Sequence, residues 1–129
     1  MRAVEGELIS TAKFHFPAAG IISGSSGSGK TSFAFQLVKN QHFTKRIKHV
    51  YYFGVTPGDE LDWHNMLDGV TVTYSSGLPT AKFFETVRKK SIIIIDDQYE
   101  DAVREPEIAR AFKVYRRHKS FSIFLITQV

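Results

Sequence analysis

A phosphate-loop pattern occupies residues 24–31, which read Gly-Ser-Ser-Gly-Ser-Gly-Lys-Thr and match G-x-x-x-x-G-K-[ST] in full. An apolar run over residues 18–22 precedes the pattern, and apolar residues at helical spacing follow it from residue 33. This context predicts a strand, a tight loop and a helix in immediate succession. It also argues against a flexible Gly/Ser linker, which would not be flanked by two apolar elements.

The residue types in this loop predict a site for a nucleoside triphosphate. Glycines lack the Cβ that would hinder a tight turn, so successive backbone N–H groups can surround the β- and γ-phosphates. Lys30 adds a positive charge, Thr31 offers a hydroxyl to Mg²⁺, and the helix N-terminus contributes a partial positive charge. We therefore expect ATP to be bound by Gly24, Ser25, Ser26, Gly27, Ser28, Gly29, Lys30, Thr31 and Ser32.

Length and composition restrict the class of protein. The chain has 129 residues and 43% hydrophobic content, enough for one domain, residues 1–129, around one core. No apolar stretch approaches the roughly 20 residues that span a bilayer, so we expect a soluble, intracellular protein without a membrane partner. Cysteine is absent from the sequence, which excludes disulfides and thiolate metal sites. A net charge of +4 favours an anionic partner but supports DNA binding only weakly.

Strand and helix patterns alternate along the chain and predict an α/β fold. Strands are expected over residues 7–17 (one strand or a hairpin), 19–23, 47–54, 70–74, 91–97 and 121–127. Helices are expected over residues 30–39, from Pro79 to about residue 90 and from Pro106 to residue 119, with an irregular connection over residues 55–69. This order predicts a three-layer sandwich with a mainly parallel sheet.

Two adjacent carboxylates follow a run of four isoleucines, residues 92–95. A strand apolar on both faces belongs in the middle of a parallel sheet, and its carboxyl end lies where such sheets bind ligands. Asp96 is therefore expected to hold Mg²⁺, through water. Asp97 is the first candidate to accept a proton from the attacking water or to orient it, and Glu100 is the second.

Gln128 ends the last predicted strand. It would lie near the γ-phosphate if that strand pairs with the strand preceding the loop, and its amide could then orient water or respond to hydrolysis. An ordinary polar residue at a strand end explains the pattern nearly as well.

Three further groups bear on partners. Arg116 and Arg117 fit an arginine finger, a contact to DNA phosphate, or simply cations that favour a helix C-terminus. The basic residues between positions 45 and 48 are expected in a solvated loop. The aromatic residues 51–53 lie on a predicted strand, so we expect them in the core rather than as a base-stacking platform.

Other nucleotide-binding classes are weighed on their motifs. The sequence contains no Asn-Lys-x-Asp base-reading motif, and Asp96 is not followed by the x-x-Gly of GTPases. Residues 75–78 do not form a transporter signature. A small-molecule phosphotransferase stays open, because such enzymes share the phosphate loop, and so does a nucleotide-gated regulatory module that hydrolyses slowly.

Three segments together resemble viral genome-packaging ATPases, with the nearest likeness to the FtsK–HerA-like enzymes of large DNA viruses, virophages and polinton or Maverick elements. The segments are residues 16–31, residues 92–97 and residues 117–128, the last reading Arg-His-Lys-Ser-Phe-Ser-Ile-Phe-Leu-Ile-Thr-Gln. The resemblance implies a phosphate-loop ATPase that forms a homo-oligomeric ring and moves double-stranded DNA into a capsid, with capsid proteins as further partners. It also implies that the strand bearing the sensor glutamine is inserted between the loop strand and the acid-bearing strand.

This chain departs from that family in two respects. Gln98 and Tyr99 follow the two acids, where the family has apolar residues. The family continues past the sensor strand with a strand that flanks the loop strand, whereas this sequence ends at Val129. We therefore expect a core that lacks one or more C-terminal strands and a loop strand with an exposed edge, partly covered by residues 7–16.

Overall fold

The structure, a computed structural model, describes residues 2–4, 13–24, 29–54 and 63–128. Its strands are β1 (Arg2–Val4), β2 (Ala19–Gly24), β3 (His49–Phe53), β4 (Thr71–Ser75), β5 (Ser91–Asp96) and β6 (Phe121–Gln128). Its helices are α1 (Lys30–Lys39), α2 (Trp63–Met66), α3 (Ala81–Thr86), α4 (Tyr99–Arg104), α5 (Pro106–Arg110) and α6 (Arg116–Lys119), with a π-helical turn over Ala111–Tyr115 between α5 and α6.

The described strands form one sheet in the order β1-β2-β6-β5-β3-β4, and every pair is parallel. The predicted α/β class and parallel sheet are therefore confirmed. β6 lies between β2 and β5, which is the strand insertion that the resemblance implied.

β5 lies inside the sheet and is buried on both faces, as its run of isoleucines predicted. Because side chains alternate along a strand, Ile92 and Ile94 pack on one face and Ile93 and Ile95 on the other. All four are at most 1% exposed. Because both faces of β5 are apolar, helices must pack on both sides of the sheet to exclude water from it.

Two hydrophobic layers cover the sheet. The first joins α1 and α2 to one face, with Phe35 and Trp63 packed edge to face at 5.3 Å between ring centroids. The second joins α3, α5 and the π-helical turn to the other face through Phe84, Ile108 and Ala111. Helices on both faces of a parallel sheet are compatible with the predicted three-layer sandwich.

The edge of β2 differs from the prediction. β1 pairs with β2 in parallel, Arg2 opposite Gly20 and Val4 opposite Ile22, so β2 has a hydrogen-bonded neighbour on each side. The expectation of an exposed edge on the loop strand is therefore wrong for the described chain. A three-residue strand is too short to show an alternating pattern, which is why the sequence did not predict it.

The predicted strand or hairpin over residues 7–17 is not confirmed. Residues 7–12 lie outside the described residues. In the described part, Phe14 forms a single parallel bridge to Phe43, and its ring packs 5.9 Å from that of Phe124. This segment therefore covers the α1 side of the core and adds no strand to the sheet.

Helix boundaries follow the signals in the sequence. α1 spans Lys30–Lys39 and ends at Asn40, as predicted. Pro106 opens α5, where a missing N–H costs nothing. The Thr80 hydroxyl caps α3 by accepting a hydrogen bond from the Phe83 N–H at 3.2 Å, so this helix begins after the predicted Pro79.

Candidate functional site

The carboxyl ends of β2, β6 and β5 lie side by side at one edge of the sheet. Gly24 is opposite Gln128, and Asp96 is opposite Ile126. The condition set for Gln128, that its strand pairs with the loop strand, is therefore met. In parallel sheets this edge is where ligands bind.

The start of α1 has the features of an anion site. Gly29 precedes the helix in a left-handed conformation (φ 83°) that L side chains rarely adopt, and its carbonyl oxygen accepts the first helical hydrogen bond from Phe33 at 2.8 Å. Lys30 is the first helical residue, and the first turn contains no acidic residue. The charge of Lys30 adds to the partial positive charge of the helix N-terminus, and together they favour a bound anion.

Asp96 lies two residues beyond Ile94 on the α1 face of the sheet, and a tyrosine on the neighbouring strand contacts it. Tyr52 pairs with Ile94 in the β3–β5 register. Its hydroxyl donates a hydrogen bond to Oδ2 of Asp96. The Tyr52 ring is 1% exposed and packs on Trp63, so the donor is held in place by the core. The carboxylate of Asp96 is therefore oriented before any ligand binds.

Burial raises the pKa of the Asp96 carboxyl above its ordinary value, and the negative charge of Asp97 raises it further. The hydrogen bond from Tyr52 and the positive charge of Lys30 lower the same pKa. Lys30, Asp96 and Asp97 thus lie within one electrostatic neighbourhood. A cation bound beside Asp96 would offset the cost of keeping this half-buried carboxylate ionised.

Asp97 marks the point at which β5 ends. Its backbone adopts a left-handed conformation (φ 57°), and its N–H donates to the Ile126 carbonyl oxygen at 2.9 Å. The side chain is exposed, and so is Glu100 in the first turn of α4. Asp97 directly follows Asp96 in the chain, and its negative charge raises the pKa of the Asp96 carboxyl.

Several predicted site residues fall outside what the structure describes. Residues 25–28 are not described at all. For Thr31 and Gln128 the structure gives the backbone only, the first within α1 and the second at the end of β6. Ser32 is exposed on α1. The predicted roles of these residues stay predictions.

Within the described residues, no three His, Asp or Glu side chains come together as a ready-made metal centre. Mg²⁺ usually binds through one or two carboxylates, substrate phosphates and water. Asp96 is the described carboxylate that would hold it, with Thr31 predicted beside it.

Comparison with protein-family models and with curated proteins found no match to this chain. Among the described helices, none is long and apolar enough to cross a membrane.

Arg116 forms hydrogen bonds within the fold that connect two distant segments of the chain. Its guanidinium donates from Nε to the Phe112 carbonyl oxygen at 2.6 Å and from Nη1 to that of Pro17 at 3.0 Å. Burial lowers its pKa, and the charge of Arg117 lowers it further. These bonds tie the helix after the π-helical turn to the segment before β2, which weighs against Arg116 as an arginine finger.

Sequence reasoning missed two residues of this site, Tyr52 and Gly54. Tyr52 was correctly expected in the core, but its contact with Asp96 depends on the β3–β5 register, which no local pattern reveals. Gly54 follows β3 with φ 136°, and a Cβ built there would stand 2.8 Å from the Asp96 carbonyl oxygen. The glycine thus permits the close approach of β3 and β5 beside the carboxylate.

The first prediction concerns the hydroxyl of Tyr52. In Tyr52→Phe the Asp96 carboxylate loses a hydrogen-bond donor, so the pKa of Asp96 rises further. When the pH is lowered, Asp96 is therefore protonated at a higher pH in the variant than in the wild type. Mg²⁺-dependent ATP binding should weaken by about tenfold, because hydrogen bonds to charged groups contribute roughly 1.5–3 kcal/mol. Titration calorimetry over a pH series checks this. Tyr51→Phe, on the opposite face of β3, is the control, and equal behaviour of the two variants would contradict the assignment.

The second prediction concerns Gly54. Gly54→Ala should lower the free energy of unfolding by about 2 kcal/mol or more, because the added methyl meets backbone atoms of Asp96. Gly77→Ala is a matched control, since Gly77 also has positive φ (75°) but no atom lies within 4 Å of its Cβ position. Urea unfolding measures both. Equal losses would mean that backbone strain alone, and not contact with Asp96, requires the glycine.

Proposed function

We propose that this chain is a phosphate-loop ATPase domain that binds MgATP at the carboxyl ends of β2, β6 and β5. The observation that carries the proposal is that β2, which leads toward Lys30 at the start of α1, and β5, which ends at Asp96, flank β6 with their carboxyl ends at one edge of the sheet. A cation at a helix N-terminus beside an oriented carboxylate supports binding of a phosphate chain together with a divalent metal.

The proposed reaction is attack of water on the γ-phosphorus, with ADP as the leaving group. Asp97 accepts the proton of the attacking water, and Glu100 is the alternative acceptor. Lys30 offsets charge on the phosphate oxygens. Asp96 and Thr31 would hold Mg²⁺, which would supply positive charge beside the phosphates when bound. Gln128 orients water from the end of β6.

We further propose that hydrolysis drives movement of double-stranded DNA, in a ring of several copies that packages a viral genome. The support for this finer statement is the resemblance of residues 16–31, 92–97 and 117–128 to packaging ATPases, joined by the position of β6 between β2 and β5. Because Arg116 is bonded within its own chain, and would be so in every copy of a ring, it is a poor candidate for an arginine finger.

The test is phosphate release from ATP with Mg²⁺, with and without long duplex DNA, using Lys30→Ala as the blank. We expect hydrolysis that duplex DNA stimulates. ATP binding without turnover under both conditions would favour a nucleotide-gated regulatory module. ADP release that requires a small acceptor and ignores DNA would instead identify a phosphotransferase.

A further inference from the structure

Positive charge is concentrated at the amino ends of the strands, opposite the candidate nucleotide site. Three segments lead into β3, β5 and β6 there: residues 45–48, 88–90 and 117–120. They contain eight of the chain's 17 lysines and arginines and no acidic residue. We call this set the basic edge: Lys45, Arg46, Lys48, Arg88, Lys89, Lys90, Arg117 and Lys119.

Backbone hydrogen bonds hold the three segments in a row. The Lys48 N–H donates to the Lys90 carbonyl oxygen at 2.8 Å, and the Lys90 N–H donates to that of Ser120 at 2.8 Å. The Thr71 N–H continues the row by donating to the Lys48 carbonyl oxygen at 3.0 Å. Because adjacent strands lie about 4.8 Å apart, the β3, β5 and β6 segments span roughly 10 Å. The backbone positions from which these cationic side chains extend are therefore fixed relative to one another.

The side chains of the basic edge are largely exposed to solvent. All eight side chains are exposed except Lys119, which is half-buried, and none forms an ion pair with another described residue. Arg88 and Lys48, from different segments, both help to lower the pKa of His49, after burial. Six acids lie instead between Asp96 and Glu107, at and beyond the carboxyl end of β5. In the described chain, basic side chains thus cluster at the amino ends of these three strands and acidic ones at and beyond the carboxyl end of β5.

The side chains on and around the basic edge indicate which kind of polyanion it would bind. Ile47, the one apolar residue of the three segments, is fully buried. The exposed large apolar side chains of the described chain lie outside these segments: Met66, Tyr99, Val103 and Val114. Apolar residues that insert favour stable binding to a membrane surface, and an apolar or aromatic anchor favours a protein interface. A single strand would require exposed rings on which bases stack. A row of long cationic side chains suits regularly spaced phosphates.

We propose that the basic edge binds the phosphodiester backbone of a nucleic-acid duplex without reading its sequence. The inference rests on the proposed function, since it names the surface by which a duplex-dependent ATPase holds its duplex. It places that duplex at the end of the sheet opposite to the nucleotide.

The test compares two charge-reversed proteins of equal net charge. Lys48→Glu with Lys89→Glu changes the basic edge, whereas Lys82→Glu with Arg104→Glu changes exposed cations elsewhere, and each pair takes the net charge from +4 to 0. Binding of a labelled duplex is measured without nucleotide across a salt series. We expect the first protein to lose at least tenfold in affinity and to have a slope of log affinity against log salt smaller by about 2. The second should behave as wild type.

The proposal requires that the loss of duplex affinity depend on the position of the substitutions and not on the total charge of the protein. Equal weakening of both proteins, or no weakening of the first, would overturn the proposal. The pair Lys48→Gln and Lys89→Gln repeats the test with a milder change, and circular dichroism verifies folding. DNA and RNA duplexes are run in parallel to identify the source of the backbone. Tighter binding of single strands, polyglutamate or phosphatidylserine vesicles by the same edge would also overturn it.

Failure of the proposed function gives a different result. ATP binding by the wild-type chain is measured separately, in the absence of nucleic acid. If ATP does not bind but the basic edge still holds a duplex, the ATPase proposal fails alone. If ATP is hydrolysed and the edge variants bind duplex normally, this inference fails alone.

Discussion

Replacing Lys30 with alanine is expected to abolish most of the affinity for ATP while leaving the fold intact. The ammonium group is the described positive charge at the start of α1, beside Asp96. Loss of hydrogen bonds to a charged phosphate costs up to roughly 3 kcal/mol, so affinity should fall by about a hundredfold. Fluorescence titration with a labelled ATP analogue measures this change.

The stability of Lys30→Ala should not fall, although its affinity for ATP should. A cation at a helix N-terminus opposes the helix dipole, and alanine is the best helix former, so Lys30→Ala should not lower the melting temperature. Lys39→Ala, in the last turn of the same helix, is the control and should bind ATP as the wild type does. Unchanged ATP binding in Lys30→Ala would remove the basis of the proposed site.

Asp97→Asn should retain ATP binding and lose turnover. The side-chain amide cannot accept the proton of the attacking water, and removal of a general base typically costs 10²- to 10⁴-fold in rate, by order of magnitude. Asparagine tolerates the left-handed backbone of residue 97, so the variant should fold. Single-turnover hydrolysis with Mg²⁺, alongside a binding titration, separates the two effects.

Two neighbouring acids make this prediction specific. Glu100→Gln tests the second candidate, and Asp101→Asn changes an exposed acid in the same first turn of α4 as a control. If Glu100→Gln stops hydrolysis and Asp97→Asn does not, the base is Glu100. If Asp101→Asn lowers turnover as much as Asp97→Asn, the effect is one of general negative charge rather than of one proton acceptor.

Local sequence signals predicted much of this fold because they report local physics. The four isoleucines predicted a strand buried on both faces, and β5 is such a strand. Asn40 and Pro106 predicted the end of α1 and the start of α5. The convergence of the loop strand with Asp96 and Gln128 followed from a general property of parallel sheets, whose carboxyl ends share one edge.

Features that depend on pairing between distant segments were not predictable in this way. The contact of Tyr52 with Asp96 requires the β3–β5 register, and the row from Lys48 to Ser120 requires the order of three strands. The π-helical turn has no evident signal in its apolar pattern, since Ile108, Ala111 and Tyr115 keep the spacing of an ordinary helix. These features follow from topology, which a single sequence does not reveal.

β5 connects the two ends of the molecule that the proposals assign to different ligands. Lys90, bonded to both neighbouring segments, precedes it, and Asp96 ends it after six residues, or about 20 Å. β3 and β6 pair with β5 from Ser91 through Ile95. A pull on β5 alone, at Lys90, would load those ladder hydrogen bonds in shear, so that they resist together and do not open one by one. A force that a bound duplex exerts on Lys90 would therefore be transmitted along β5 to Asp96 without separating the strands.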